Sequence, residues 1–311
     1  VDKTNPKYIS RGGAVYSKDK KTLIWYPYNQ RTVKIPKSVE KIGKFAFRCA
    51  NMRTLAIPDT VNSIGYGAFE YCPFLKKVTL SKNLSKISRN AFFGCRNLKK
   101  IEIPGSVRKI DYNAFCLCEG LEKVTFGDNS RLKKIQESAF FYCKKLKSIK
   151  IPGTVEEIGT ETFRGCTALK NVTMQGGVKK IGYDAFHDCA SLEEVVLPDT
   201  VVEIGGKAFQ GCVSLKSITL PDTVEVIGME AFRRCKSLKS IVIPEKVARI
   251  EWRTFKRCTG LREVVIRGQE VSIEGNAFES ISNKKRINFI APEGSKAYLW
   301  AKREGFTVKA L

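Results

Sequence analysis

Eleven cysteines and one histidine are the residues of this chain that could carry redox, metal or nucleophilic chemistry. Ten of the cysteines recur at nearly even intervals, whereas structural zinc sites use clustered pairs such as Cys-x-x-Cys. Spacing alone does not exclude a disulfide between neighbouring copies. A small side chain repeated at one position nevertheless favours reduced, buried thiols that act as small hydrophobes. The ten cysteines with this predicted structural role are Cys49, Cys72, Cys95, Cys118, Cys143, Cys166, Cys189, Cys212, Cys235 and Cys258.

Two residues stand apart from that series. Cys116 lies two positions before Cys118. Two interpretations remain open for it: an exposed, reactive thiol, or a solvent-exposed thiol without a function. His187 is the only histidine, so a Cys–His or Ser–His–Asp arrangement would need it. Its place between Phe186 and Asp188 predicts an exposed variant of a repeat. We therefore expect a non-enzymatic protein with no catalytic, cofactor-binding or metal-binding residues and no cofactor.

The elements that carry these residues are copies of one short repeat. The segment Ile-Gly-x-x-Ala-Phe-x-x-Cys at 64–72 recurs along the chain in strict or looser form. Its phenylalanine steps by 23 residues, except for 22 after Phe47 and 25 after Phe115. The long step comes from an insertion at 127–130, and the short one predicts a missing residue between Phe47 and Cys49. The eleven copies are marked by Phe47, Phe69, Phe92, Phe115, Phe140, Phe163, Phe186, Phe209, Phe232, Phe255 and Phe278.

Each copy predicts one coil of a solenoid. After the cysteine comes Leu-x-x-Ile-x-Ile-Pro, in which Ile101 and Ile103 alternate with Lys100 and Glu102. This period of two indicates a short strand with one buried face, and the following proline ends it. A Val-x-x-Ile segment predicts a second extended stretch. The Ala, Phe, Cys and Leu that follow recur at steps of one, three and three, which suits a single helical turn.

A coil of 23 residues cannot bury its apolar face alone, so the coils must stack and both ends must be capped. Residues 1–34 break the repeat and read as strands and turns, which predicts an N-terminal β-hairpin cap. Residues 35–290 form the predicted leucine-rich-repeat solenoid. Residues 291–311 predict a C-terminal capping helix, with Ser295 at its N-terminus and Gly305 at its end. We expect one continuous domain.

Nearly the whole chain resembles the BspA-like leucine-rich repeats, which are surface proteins of the type called leucine-rich repeat 5. The resemblance rests on the coil pattern, the proline after the strand and both caps. The resemblance implies a β-rich α/β solenoid: a right-handed superhelix of about eleven coils with a parallel sheet on the concave face and short helical turns. It also implies an extracellular or cell-surface location and adhesion to host matrix proteins, cells or other bacteria. The family offers no catalytic motif. The chain departs from the pattern at Ser88, Asp111, Gln136, Glu251 and Glu274, where glycine is usual, and at Ile281, where the last cysteine would stand.

The net charge of +24 is unevenly distributed. Residues 1–155 hold 31 basic and 11 acidic residues, and residues 156–311 hold 24 and 20. This excess of positive charge produces an electrostatic field that favours anionic partners and opposes self-association, so we expect a monomer. The sequence has no apolar stretch long enough to span a membrane, and no signal peptide is visible at its start.

The outward positions of the predicted strands are the candidate binding surface. Stacked strands would place their side chains about 4.8 Å apart along the axis. Two interpretations compete: docking of an anionic partner, namely an acidic protein or, as the alternative function, a sulfated glycan, and a solvated face that only aids solubility. Nucleic acid is disfavoured because aromatic residues are not interleaved on this face. The candidate partner-binding residues are Lys76, Lys77, Lys99, Lys100, Lys123, Lys147, Lys150 and Lys170. Outward positions with the same placement are Arg53, Glu102, Glu193, Glu194, Lys216, Lys239, Arg262 and Glu263.

Aromatic residues beside the repeated phenylalanine suggest a second surface. Tyr71, Phe93, Phe141 and Tyr142 lie at neighbouring positions of successive copies. They would form an apolar ridge on the outside of the coils or pack locally between neighbouring turns, and local packing is the favoured interpretation.

Overall fold

A computed structural model describes residues 1–281 and 283–311 of the chain. The described residues group into two compact units, Val1–Lys147 and Ser148–Leu311. Each unit is a parallel β-solenoid in which long and short strands alternate along the chain, except between residues 204 and 226, where no long strand forms. The predicted fold class is thereby confirmed.

The first unit opens with three antiparallel strands, β1 (Tyr8–Arg11), β2 (Ala14–Ser17) and β3 (Thr22–Trp25). Gly12 and Gly13 connect β1 to β2 with φ of 56° and 80°, a conformation that costs glycine little. β3 then pairs in parallel with the first short strand of the solenoid. The hairpins predicted from the sequence are present.

Nine strands complete the first unit. The even-numbered ones are short and the odd-numbered ones are long. The long strands form one parallel ladder, whereas the short strands divide into β4–β6, which continues the N-terminal sheet, and β8–β10–β12. The predicted inward positions of both kinds are buried, because side chains alternate across a strand. The strands are β4 (Lys41–Ile42), β5 (Thr54–Ala56), β6 (Ser63–Ile64), β7 (Lys77–Thr79), β8 (Lys86–Ile87), β9 (Lys100–Ile103), β10 (Lys109–Ile110), β11 (Lys123–Phe126) and β12 (Lys134–Ile135).

The second unit repeats this plan, and its last two strands are each preceded by a helical segment. Its parallel pairs include β13–β15, β16–β18 and β22–β24. The strands are β13 (Ser148–Ile151), β14 (Glu157–Ile158), β15 (Asn171–Met174), β16 (Lys180–Ile181), β17 (Glu194–Val196), β18 (Glu203–Ile204), β19 (Val226–Ile227), β20 (Ser240–Ile243), β21 (Arg249–Ile250), β22 (Glu263–Ile266), β23 (Ser272–Ile273), β24 (Asn288–Ala291) and β25 (Thr307–Ala310). A 3-10 turn (Lys284–Arg286) precedes β24, and helix α1 (Lys296–Arg303) precedes β25.

The repeated phenylalanines form the centre of the core. All eleven are buried. In the first unit the rings of Phe69, Phe92 and Phe115 stack with centroids 5.0 and 5.3 Å apart and interplanar angles of 7° and 1°. In the second, Phe186 and Phe209 repeat this geometry at 5.3 Å and 3°. The repeat spacing therefore sets the same ring on the same level of every coil.

The cysteines form a second ladder beside the rings. All eleven are thiols without a disulfide. Cys72 donates its S–H to the carbonyl of Phe47 at 3.0 Å, and Cys95 donates to that of Phe69 at 3.0 Å. The same bond recurs in the second unit, for example from Cys212 to Phe186 at 3.2 Å. The predicted role of small buried fillers is thus supplemented by a weak bond between coils.

Cys49 is an exception to this ladder, and its predicted burial is wrong. Its side chain is exposed, and Ala50, which is fully buried, occupies the ladder position instead. Phe47 and Ala50 have the same spacing as Phe69 and Cys72, so no residue is missing between Phe47 and Cys49. The deletion lies after Ala50, where Met52 takes the buried leucine position.

The segment around each phenylalanine consists of consecutive turns rather than a regular helix. Phe45 and Cys49 have φ of 54° and 59°. The N–H groups of Phe45, Phe47 and Cys49 bond to the next coil, whereas those of Ala46, Arg48 and Ala50 close turns to the residue three positions earlier. This alternation satisfies the backbone both within and between coils.

The C-terminal cap closes the core of the second unit. Ser295 accepts a hydrogen bond from the N–H of Tyr298 at 3.1 Å and so caps α1, as predicted. Trp300 of α1 lies 5.7 Å from the Phe278 ring and 6.1 Å from the Phe289 ring. Phe306 joins the same cluster. Among the helices of the described residues, none has the length and apolar character needed to cross a membrane.

Candidate binding surface and family

A row of three lysines lies on the long-strand sheet of the first unit. Lys77 pairs with Lys100 across β7 and β9, and Lys100 pairs with Lys123 across β9 and β11. All three are exposed. Within the described residues, no acidic group lies within 4.0 Å of their ammonium groups. Parallel strands are about 4.8 Å apart, so three uncompensated positive charges stand side by side.

A second row on the same sheet is mixed in charge. The N–H of Lys99 bonds to the carbonyl of Lys76, and the N–H of Glu122 bonds to that of Lys99. Lys147 follows Glu122. The carboxylate of Glu122 lies 3.1 Å from the Lys99 ammonium. That hydrogen bond, with the charges of Lys99 and Lys147, lowers the pKa of Glu122. This row therefore offers Lys76 and Lys147 to a partner, but not an unbroken line of cations.

The remaining two candidates lie in the second unit. Lys150 of β13 pairs with Thr173 of β15. The neighbour of Lys150 on the next long strand is therefore uncharged. Lys170 accepts a backbone hydrogen bond from Glu193, and the ammonium of Lys216 lies 3.2 Å from the Glu193 carboxylate. The structure thus brings together Lys77, Lys100 and Lys123 more fully than it does the rest of the predicted lysines.

The lysine row lines a groove of about 660 Å³ in the first unit. The ladder between β7 and β9 pairs Lys77 with Lys100, whereas β9 and β11 pair over four positions. The groove lies where β7 and β9 diverge. Its floor contains Val78, Leu80 and Ile101, which are nearly fully buried. An apolar floor beneath exposed cations can hold a side chain that is partly apolar and carries a negative charge.

Polar residues complete the walls of this groove. Glu102 and Thr125 pair across β9 and β11, and Thr79, Lys82 and Asp128 also line the groove. Of these residues, only Glu102 is among the outward positions predicted from the sequence. Thr79 and Thr125 occupy outward positions that the period of two also marks, whereas Lys82 lies beyond the end of β7, where that period no longer applies.

The insertion at 127–130 forms one edge of the groove. The N–H of Gly127 bonds to the carbonyl of Ile103, and the N–H of Arg131 bonds to that of Gly105. A Cβ atom on Gly105 would lie 2.5 Å from the carbonyl oxygen of Asp128. Only glycine permits this close approach, so Gly105 fixes the inserted turn against the sheet.

His187 is buried, and its predicted exposure is wrong. In the second unit its Nδ1 lies 2.9 Å from the Oδ1 atom of Asp184, and its Nε2 lies 3.0 Å from the Nε2 atom of Gln210. The Asp184 carboxylate also lies 3.2 Å from the guanidinium of Arg164. Asp184 belongs to the same coil as His187, whereas Gln210 comes from the next coil and is not apparent from one coil alone.

Cys116 is buried, so both predictions for it, an exposed reactive thiol and a solvent-exposed thiol without a function, are wrong. Tyr71 and Phe93 pack edge to face with centroids 5.3 Å apart, and Phe141 and Tyr142 lie 4.5 Å apart. These contacts agree with local packing between turns.

Among the described residues, no group of three or more His, Cys, Asp or Glu side chains is arranged to hold a metal ion.

Comparison with known protein families identifies the family to which the repeat belongs. A model of the BspA type leucine rich repeat region matches residues 24–132, 85–213 and 179–295, with six copies. The chain belongs to the BspA-type leucine-rich repeat family. A comparison with curated proteins finds no match.

Solved structures agree with membership of the BspA-type family. A leucine-rich repeat protein from Bacteroides ovatus is 30% identical, with a TM-score of 0.78 over 91% of this chain and 72% of that one. A leucine-rich repeat protein of T. pallidum is 25% identical, with a TM-score of 0.52 over 72% and 86%. The pneumococcal vaccine antigen PcpA, 23% identical, has a TM-score of 0.59 over 99% and 87% and shows the shared fold. A BspA-type repeat chain of this kind is consistent with a protein-binding module.

Proposed function

We propose that this chain is a non-enzymatic adhesion module displayed on a bacterial cell surface. Its long-strand sheet binds a host or matrix protein, and the groove over Lys77, Lys100 and Lys123 receives an acidic segment of that protein. The observation that carries the proposal is the unpaired row of three lysines above an apolar floor. The charge steers the partner and the floor contributes contact area.

The location at the cell surface rests on family membership and on relatives such as the pneumococcal vaccine antigen. Labelling of intact source cells with an antibody against the folded chain tests it. Signal on unpermeabilised cells is expected. Signal that appears only after permeabilisation would contradict surface display and, with it, adhesion.

The binding face is tested with two variants that remove the same charge from the same unit. The groove variant carries Lys77→Gln, Lys100→Gln and Lys123→Gln. The short-strand variant carries Lys86→Gln, Arg108→Gln and Lys134→Gln, whose residues lie on or beside the short strands β8, β10 and β12. Immobilised, deglycosylated matrix proteins are probed with each variant at low and at physiological salt.

The unchanged chain is expected to retain binding to one protein at physiological salt. Loss of three surface ion pairs should weaken that binding on the order of tenfold in the groove variant. The short-strand variant should bind nearly as the unchanged chain does. Equal weakening in both variants would mean that overall charge, and not the groove, determines binding. Binding to every polyanion that vanishes at physiological salt would favour the alternative of a general cationic receptor.

A further inference from the structure

The short-strand sheet of the first unit carries a second row of cations. Lys86 pairs with Lys109 across β8 and β10, and Lys109 pairs with Lys134 across β10 and β12. Arg108 precedes Lys109 and bonds through its N–H to the carbonyl of Ser85. Four cations therefore project from three adjacent coils, about 4.8 Å apart along the axis.

Most of this row is available to a ligand. Lys86, Arg108 and Lys134 are exposed, and among the described residues no carboxylate lies within 4.0 Å of their charged groups. Lys109 lies 3.2 Å from Asp111. That carboxylate and Glu137 at the border are the acidic side chains closest to the row in sequence. The row thus remains strongly positive.

The row is not a general consequence of the repeat. In the second unit the equivalent positions are Glu157, Lys180, Glu203 and Val226. There the Lys180 ammonium lies 2.9 Å from the Glu203 carboxylate, so the charges compensate each other. The repeat tolerates acidic, basic and apolar residues at this position, and the first unit carries cations.

Tyr112 holds two cations beside the row. The guanidinium of Arg89 lies 5.7 Å and the ammonium of Lys109 lies 5.6 Å from the centre of its ring. Cations over an aromatic ring are held by its negative face. Because two cations already lie over this ring, it is poorly suited to stack a nucleobase. The surface therefore favours an anion whose recognition depends on charge rather than on base stacking.

We propose that this short-strand row binds a sulfated polysaccharide. Successive sulfate groups of a linear glycan would lie across Lys86, Arg108, Lys109 and Lys134 as the polymer follows the stacked coils. The row does not line the groove over Lys77, Lys100 and Lys123, and a row of regularly spaced, exposed cations suits a linear polyanion better than a small ligand. This site is separate from the groove on the long-strand sheet and does not depend on the proposed adhesion function.

The test compares the short-strand variant (K86Q, R108Q, K134Q) with the groove variant (K77Q, K100Q, K123Q). The probes are a size-defined heparin oligosaccharide, its desulfated counterpart and a single-stranded oligonucleotide of matching charge. The Kd of each is measured at several salt concentrations, because screening weakens charge-driven binding. Thermal unfolding of both variants confirms that they fold, and K134Q alone serves as a milder second variant.

The heparin Kd is expected to rise on the order of tenfold in the short-strand variant and to change little in the groove variant. K134Q should produce a smaller rise in the same direction. Desulfation should abolish binding. Equal losses in the two triple variants, equal binding of the desulfated oligosaccharide or tighter binding of the oligonucleotide would each overturn the proposal. Matrix-protein binding by the short-strand variant is unaffected by this result, so the two proposals fail separately.

Discussion

At the scale of single residues, the cysteines separate into one accessible thiol and ten inaccessible ones. Cys49 is exposed and the other ten are buried. Burial raises the pKa of Cys258 to about 12 and raises that of Cys212 well above its ordinary value. Since the thiolate is the reactive form, these buried groups should react slowly at neutral pH for two reasons, access and ionisation.

Titration with a chromogenic disulfide reagent should therefore detect one fast thiol in the native protein and eleven after denaturation. Cys49→Ala should remove the fast thiol and change the free energy of unfolding by less than about 0.5 kcal/mol. The matched change Cys212→Ala should leave the fast thiol and destabilise by about 1–2 kcal/mol, because it removes packing and the bond to Phe186. Several fast thiols in the native chain would contradict the buried ladder.

The errors in the residue-scale predictions have a common physical cause. Spacing identifies most ladder residues. The prediction that Cys49 is buried is wrong because a one-residue deletion can be assigned to either side of it. Only the packing shows that Ala50 fills the core. The burial of His187 is not evident from its own coil, because one of its two polar neighbours, Gln210, lies 23 residues away in the next coil. Contacts between coils decide both positions.

At the scale of elements, glycine lets neighbouring coils approach in the second unit. A Cβ atom on Gly205 would lie 2.8 Å from backbone atoms of Gly182 and Tyr183. Gly205→Ala would require the backbone around Gly182 and Tyr183 to shift, which should destabilise by about 1–3 kcal/mol. Gly176→Ala is the matched control, because no atom lies within 4 Å of its added Cβ. Chemical unfolding of both variants measures the difference, and equal midpoints would show that the turn adjusts without cost.

The C-terminal helix stabilises the second unit through one aromatic side chain. Trp300 is nearly buried among Phe278, Phe289 and Phe306. Trp300→Ala should lower the free energy of unfolding by about 3 kcal/mol, since it leaves the terminal coil uncovered. Leu299, the preceding residue of α1, is 58% exposed. Leu299→Ala should cost less than about 0.5 kcal/mol. Similar losses from both would mean that the helix acts through its length and not through this contact.

Most elements could be predicted because the same sequence pattern recurs in every copy of the repeat. The strands around Ile101 and Ile110, the hairpins before residue 34 and the helix after Ser295 all follow from period, turn residues and capping. The segment around Phe47 was expected as a helical turn, yet half of its N–H groups bond to the next coil. Side-chain spacing of one and three fits both arrangements, and only backbone pairing between coils distinguishes them.

The candidate surface was predicted in part for a similar reason. The period of two identified Lys77, Lys100 and Lys123 as outward residues, and parallel pairing placed them in one row. The divergence of β7 from β9, which creates the groove, leaves no mark in the sequence pattern. The short-strand row at Lys86, Lys109 and Lys134 did leave one, because each lysine precedes the isoleucine of a Val-x-x-Ile or Leu-x-x-Ile segment.

At the scale of the whole molecule, both proposed surfaces draw on one excess of positive charge. Residues 1–147 carry 30 basic and 11 acidic residues, whereas residues 148–311 carry 25 and 20. In the first unit one row of lysines runs along stacked long strands and another along stacked short strands. Neighbouring coils hold these charges closer together than an unfolded chain would, so their repulsion opposes folding.

Added salt should therefore stabilise the protein. Exposed ion pairs such as Lys99–Glu122 at 3.1 Å contribute little and lose that little on screening. The repulsion within each lysine row acts over about 4.8 Å between strands, well inside a Debye length of about 30 Å at 0.01 M salt. Urea unfolding at low and at physiological salt, followed by circular dichroism, should show a midpoint that rises with salt. The groove and short-strand variants should each begin with a higher midpoint at low salt and gain less from added salt. A midpoint that falls with salt would mean that ion pairs, and not repulsion between stacked lysines, dominate the electrostatics of the fold.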